Sequence, residues 1–225
     1  MPSSGVRVVR GMGVSRLALP LLALGLMGNG PVDPPVLRAL DAIQARYDGI
    51  GDLTAAFVQT SYTAALGRES VHNGRVTMKR PGRIRWEYSA PDERVIVLDA
   101  ETLRIYSPVD AQLQVAGIEQ GSVSPTALSF LLGGGVLRDF FRAEAIDEPK
   151  RAELGLRLRP RDESSFELIE LWVERETYQL RESVLLDLFK NRTSVRFESI
   201  EENVGVDESA FEIDVPEGTE VIDLR

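Results

Sequence analysis

The apolar residues of this chain recur mostly at every second position, and that period is the strongest constraint on its fold. In Arg83-Ile84-Arg85-Trp86-Glu87-Tyr88, the residues Ile84, Trp86 and Tyr88 share one face and the charges share the other, as the side chains of a β-strand must. Leu154, Leu156 and Leu158 alternate with Gly155, Arg157 and Arg159. Ile169, Leu171 and Val173 repeat the pattern, as do Val195 and Phe197. Shorter runs lie at 57–62, 76–78, 95–98, 103–106 and 113–115, and turn formers separate them at Pro81-Gly82, Pro91-Asp92, Ser107-Pro108 and Asn191. Many short strands in succession predict a mainly β chain, a meandering antiparallel sheet that makes a sandwich or a curved barrel.

Two stretches carry the helical period instead. Val36, Leu37, Ala39, Leu40, Ile43 and Tyr47 follow Pro34-Pro35 and precede Gly49 and Gly51. They predict an amphipathic helix with Asp33 as its cap. Ser124 to Leu132 reads as a short apolar helix, with Ser124 at the N-cap and Pro125 in the first turn. Gly133-Gly134-Gly135 ends it, either as a flexible loop or as a hinge beside an apolar flap. A sheet with one greasy face must close on itself or be covered by helices, and the covered form can enclose an apolar cavity.

Composition removes several classes of function. The formal charge of −9 argues against nucleic acid and against broad docking on anionic lipid. The chain has no Cys, which excludes disulfides, thiolate metal sites, a cysteine nucleophile and a lipid on an N-terminal Cys. His72 is the only histidine, so imidazole metal sites and Ser-His-Asp triads have almost no material. There is no nucleophile elbow, phosphate loop, dinucleotide fingerprint or zinc-helix motif. Acidic pairs such as Asp92-Glu93 and Glu201-Glu202 read as solvated surface. No catalytic residue, metal or cofactor is expected.

Residues 1–30 hold Arg7, Arg10 and Arg16, no acidic residue, and the apolar run Leu17 to Met27. Such a run has the length of a signal-peptide core, about 7–15 residues, and is shorter than the roughly 20 needed to span a bilayer. It predicts a signal peptide over 1–30 and one exported domain over 31–225. Loss of residues 1–30, with three Arg and no acid, would take the charge from −9 to −12.

The segment Met78-Lys79-Arg80-Pro81-Gly82-Arg83-Ile84-Arg85-Trp86-Glu87-Tyr88-Ser89-Ala90-Pro91-Asp92-Glu93 resembles the signature of the periplasmic outer-membrane lipoprotein carrier family, LolA. Other similar pieces follow in the same order. They are Phe57-Val58-Gln59 after the first helix, Asp99 with Leu103, Tyr106 and Pro108, then Leu156, Leu158 and Pro160. Asp187 before Asn191-Arg192-Thr193, and Phe211 to Gly218, complete the set. The resemblance runs from about residue 36 to 222.

That resemblance implies an unclosed antiparallel β-barrel with helices as a lid over a hydrophobic cavity. It implies a non-enzymatic, monomeric periplasmic chaperone that binds acylated lipoproteins. An inner-membrane ABC transporter would release the cargo to it, and an outer-membrane lipoprotein receptor would take the cargo from it. Arg80 would hold the lid shut by hydrogen bonds to lid carbonyls; its other reading is a surface Arg at a strand end. Phe57, Met78, Ile84, Trp86 and Tyr88 would face the acyl cavity, with plain core packing as the rival. Leu128, Phe130, Leu131 and Leu132 would form the inner face of the lid. Many relatives carry an aromatic residue where this chain has Ile84. Other readings are a related lipid or glycolipid carrier, a lipoprotein-binding envelope sensor, and, in another class, an envelope hydrolase.

Overall fold

The amphipathic period at the start of the domain becomes helix α1 (Pro34–Asp48), whose buried face is Val36, Ala39, Leu40, Ile43 and Tyr47. The computed structural model describes residues 34–99, 101–117 and 135–225. The signal segment, Asp33 and the helix expected at 124–132, with Leu128, Phe130, Leu131 and Leu132, lie outside the described residues.

After α1 the chain meanders through β1 (Asp52–Thr63), β2 (Arg68–Lys79), β3 (Arg83–Tyr88), β4 (Arg94–Leu98), β5 (Thr102–Ser107) and β6 (Gln112–Gly117). A single helical turn, α2 (Leu137–Phe140), leads into β7 (Phe141–Ile146), β8 (Leu154–Pro160), β9 (Phe166–Val173), β10 (Leu180–Asp187) and β11 (Arg192–Glu202). A 3-10 turn (Glu208–Phe211) precedes β12 (Glu220–Asp223). All described strands share one sheet in the order β12-β6-β5-β4-β3-β2-β1-β11-β10-β9-β8-β7. Every pairing is antiparallel except β12 on β6. The meander thus comes in two runs, β1–β6 and β7–β11, joined side by side by β1 on β11. Among the described residues β7 and β12 each pair with one neighbour only, so the sheet is curved but unclosed.

Register decides which residues share the inner face, because directly paired residues in an antiparallel sheet point the same way. One row runs Leu53–Met78–Ile84–Leu98–Leu103. The next runs Ala55–Val76–Trp86–Ile96–Ile105. Helix α1 lies on this inner side, and its buried residues share one core with Leu53, Ala55, Phe57, Val76, Met78, Leu156, Leu171 and Phe197. Tyr47 fixes the end of the helix. Its hydroxyl accepts a hydrogen bond of 2.9 Å from the Leu180 amide, at a point where the β9–β10 register slips.

The outer face of β3–β5 is covered as well. Arg85, Val97 and Arg104 form one outward row. Val97 is fully buried all the same, because the carboxy-terminal segment crosses there. Arg85 donates to the Glu212 carbonyl at 2.7 Å and Arg104 to that of Phe211 at 3.3 Å, and Phe211 is buried. Gly74 permits one close approach. A Cβ at that position would come within 1.8 Å of the Glu87 carbonyl oxygen and 2.9 Å of the Phe57 ring.

Candidate functional site

Between the two runs of strands the inner face is not filled. A cavity of about 320 Å³ opens there, within the range of roughly 300–1,000 Å³ usual for small-molecule sites. Ile84, Trp86, Tyr88, Ile96, Leu98 and Leu103 of β3–β5 form one wall. Ile169, Ser183, Leu185, Thr193 and Val195 of β9–β11 form the other, and Gln59 of β1 lies between them. The lining holds no charged side chain. A site without charge in a chain with this much of it is suited to neutral, largely apolar ligands.

Aromatic packing sets the first wall. Phe57 is buried, and its ring meets that of Trp86 edge-on at 4.7 Å and that of Tyr88 at 5.2 Å. Edge-to-face pairs of this kind stabilise beyond the area they bury, so Phe57 holds both rings upright from behind. Tyr88 donates to Gln59 Oε1 at 3.0 Å. Burial pushes the Tyr88 phenol above its usual range, against the opposing pull of Arg94, so it remains a neutral donor at any ordinary pH. The Arg94 guanidinium, paired with Tyr88 in register and so on the same face of the sheet, lies 4.9 Å from the ring centre.

The expected site residues divide accordingly. Ile84, Trp86 and Tyr88 line the cavity. Phe57 stands one layer behind it. Met78 belongs to a narrow apolar niche under α1, with Tyr47, Leu53 and Phe197. Arg80 follows the end of β2, where its amide donates to the Gly51 carbonyl at 2.8 Å and its guanidinium lies 3.7 Å from Asp48, the last residue of α1. A cation beside the carboxyl end of a helix is favourably placed, so Arg80 ties β2 to α1. His72 is a strand residue whose Nδ1 lies 3.4 Å from Asp92. The sequence carries no signal that marks the second wall. Its strands were legible by period, but nothing in a strand's own sequence says that it faces a void.

A second depression, of about 420 Å³, lies on the outer side of β9–β11. Glu153, Glu174, Arg175, Arg181, Arg196 and Glu198 surround it. Arg181 pairs with Glu174 at 3.2 Å, and Arg175 binds the carbonyls of Ala152 and Glu153. Its charges are of mixed sign and several are already paired, so it is a solvated groove despite its size. Among the described residues no group of His, Cys, Asp or Glu could hold a metal ion. No helix among them is long and apolar enough to cross a membrane.

Comparison with known proteins agrees with this geometry. Residues 48–214 match the family described as Outer membrane lipoprotein carrier protein LolA. The chain is 33% identical over 150 residues to the outer-membrane lipoprotein carrier protein of Nitrosomonas europaea, covering 67% of this chain and 72% of that one. It is 28% identical over 205 residues to that of Hahella chejuensis, covering 90% and 93%. Among solved structures, an uncharacterized conserved protein from Thermus thermophilus superposes with a TM-score of 0.52 at 14% identity, over 83% of this chain and 98% of that one. That last likeness is one of fold alone.

Proposed function

Because this chain belongs to the outer-membrane lipoprotein carrier family, LolA, we propose that it shields the acyl chains of lipoproteins while they cross the periplasm. The observation that carries this reading is the uncharged cavity between β3–β5 and β9–β11. A lipoprotein anchor of roughly forty methylenes, at about 0.8 kcal/mol each, costs on the order of 30 kcal/mol to expose to water. Free diffusion between membranes is therefore negligible, and a carrier has to bury the chains. The carrier must also release them without spending nucleotide, so its wall should be large but loosely packed. Half-buried Trp86, Ile96, Leu98 and Leu103 fit that need better than a close-packed core would.

The volume sets a further condition. At roughly 30 Å³ for a water-sized group, the cavity holds on the order of ten methylenes, part of one chain. Loading a whole anchor requires its two walls to part. The unclosed sheet suits this, since its edges β7 and β12 are not hydrogen-bonded to each other and the walls can spread without breaking a ladder. In this reading the signal segment 1–30 sends the chain to the periplasm. An inner-membrane ABC transporter loads it and an outer-membrane receptor unloads it. Arg80 holds the closed state by joining β2 to α1 and, through its guanidinium donors, to the lid.

The two tryptophans provide the test. Trp86 lines the cavity. Trp172 lies on the outer face, under the Arg151 guanidinium 3.9 Å from its ring centre. A lipopeptide with brominated acyl chains should quench Trp86 in a Trp172→Phe variant and leave Trp172 unquenched in a Trp86→Phe variant. Equal quenching of both, or of neither, sinks the reading. In spheroplasts, the mature chain should release lipoproteins into the medium, and Arg80→Leu should lower the turnover of transfer.

A further inference from the structure

The inner face is graded along β1, β2 and β11. In β1 the inward residues run Leu53, Ala55, Phe57, Gln59, Ser61; in β2 they run Met78, Val76, Gly74, His72, Ser70 towards the same end. In β11 they run Phe197, Val195, Thr193, and Thr193 pairs with Ser61. Ser183 of β10 pairs with Val195, in the same row as Gln59. In β1, β2 and β11 the inward residues thus pass from hydrocarbon beneath α1 to hydroxyl, amide or imidazole, whereas β10 runs from Ser183 to Leu185, which pairs with Thr193 in the far row. An ordinary core shows no such gradient, because a buried hydroxyl without a partner is costly.

The polar groups at that end are partly committed to one another. Tyr88 donates to Gln59 Oε1 at 3.0 Å, and Gln59 Nε2 donates to Ser61 Oγ at 3.1 Å. This chain leaves the second Nε2 hydrogen of Gln59 and the Ser61 hydroxyl proton to point elsewhere. Ser183 is only 8% exposed and Thr193 is half-buried. Both line the cavity, and among the described residues neither hydroxyl has a hydrogen-bond partner. Spare donors on β1, β10 and β11 therefore occupy two adjacent rows of an otherwise apolar space, with Val195 and Leu185 between them.

We infer that Gln59, Ser183 and Thr193 form a subsite for the ester and amide carbonyls that join fatty chains to their polar head. This rests on the carrier reading and deepens it: the chains lie towards α1, and the linkage lies at the graded end. The subsite has no cation in its lining, so it selects the neutral linkage and not a phosphate. An ester carries a carbonyl oxygen that projects sideways from the chain towards such donors, and the diether of the same chain length lacks that projecting acceptor.

The test uses the mature chain with two probes of equal chain length, dipalmitoylglycerol and its diether analogue dihexadecylglycerol, each displacing a fluorescent fatty acid. The ester should bind about fivefold tighter, the size of one net hydrogen bond. The Ser183→Ala, Thr193→Val double variant should bring that ratio below about twofold by weakening the ester alone, since the apolar contacts stay. Unchanged ether binding shows that the variant's cavity is intact. Equal binding of both probes by wild type, or a ratio that survives in the variant, overturns the subsite and leaves the carrier reading standing. Binding of neither probe overturns both.

Discussion

Gly74 sits between the Phe57 ring and the Glu87 carbonyl, and it has no room for a methyl group. The contact with backbone oxygen cannot be relieved by a side-chain rotation, so Gly74→Ala should destabilise the fold by about 3 kcal/mol, at the upper end for overpacking. Chemical denaturation would measure it, and a loss under about 1 kcal/mol would contradict the geometry. Phe57 and Leu98 separate core from wall. Phe57→Ala should cost about 3–5 kcal/mol of stability. Leu98→Ala, at a half-buried site on the cavity, should cost less and instead weaken acyl binding. Glu182 supplies a pH signature. Burial pushes its carboxyl up, but hydrogen bonds from Ser194 at 2.6 Å and Arg151 at 2.5 Å outweigh that and hold it below the usual range. A carboxylate depressed in the folded state stabilises the fold above its unfolded pKa, and the gain is lost as pH falls through the folded value. Wild type should therefore be more stable than Glu182→Gln near neutral pH, with the gap closing in acid. A gap that is constant with pH would show that the ion pair does not contribute.

Among the elements, α1 was the most legible in sequence, since its prolines, apolar stripe and closing glycines all act locally. The strands were nearly as legible, because a period of two needs only neighbours to be recognised. The β3–β5 region shows where that reading stops. Val95-Ile96-Val97-Leu98 is apolar at every position, and either face could be the inner one. Pairing settles it: Ile96 and Leu98 look onto the cavity, while Val97 lies on the outer side, where the carboxy-terminal segment passes. Tyr47 links helix to sheet at one point, and no sequence pattern announces it. Tyr47→Phe removes the acceptor from the Leu180 amide. A buried N–H left without a partner costs about 1–3 kcal/mol, which thermal unfolding would register, and an unchanged midpoint would mean that the amide finds another acceptor.

At the scale of the whole molecule, the decisive property is that the sheet curves without closing. Among the described residues α1 packs on one part of the inner face, and the cavity lies over another part. Much of this was written in the sequence by itself: a mainly β chain, one amphipathic helix before it, no material for common catalysis, and the residues on one face of each strand. Those follow from local sterics and from the alternation of side chains, which act over a few residues. The tertiary structure alone decided which inward residues meet α1 and which meet open space. Phe57 and Trp86 have the same period and the same chemistry, yet one is wall support and the other is wall. The difference lies in what stands opposite, and that is set by pairings between strands distant in sequence, such as β1 with β11. Gln59, Ser183 and Thr193 were silent for the same reason, since a hydroxyl or amide in a strand gains meaning only when register gathers it with others around one void.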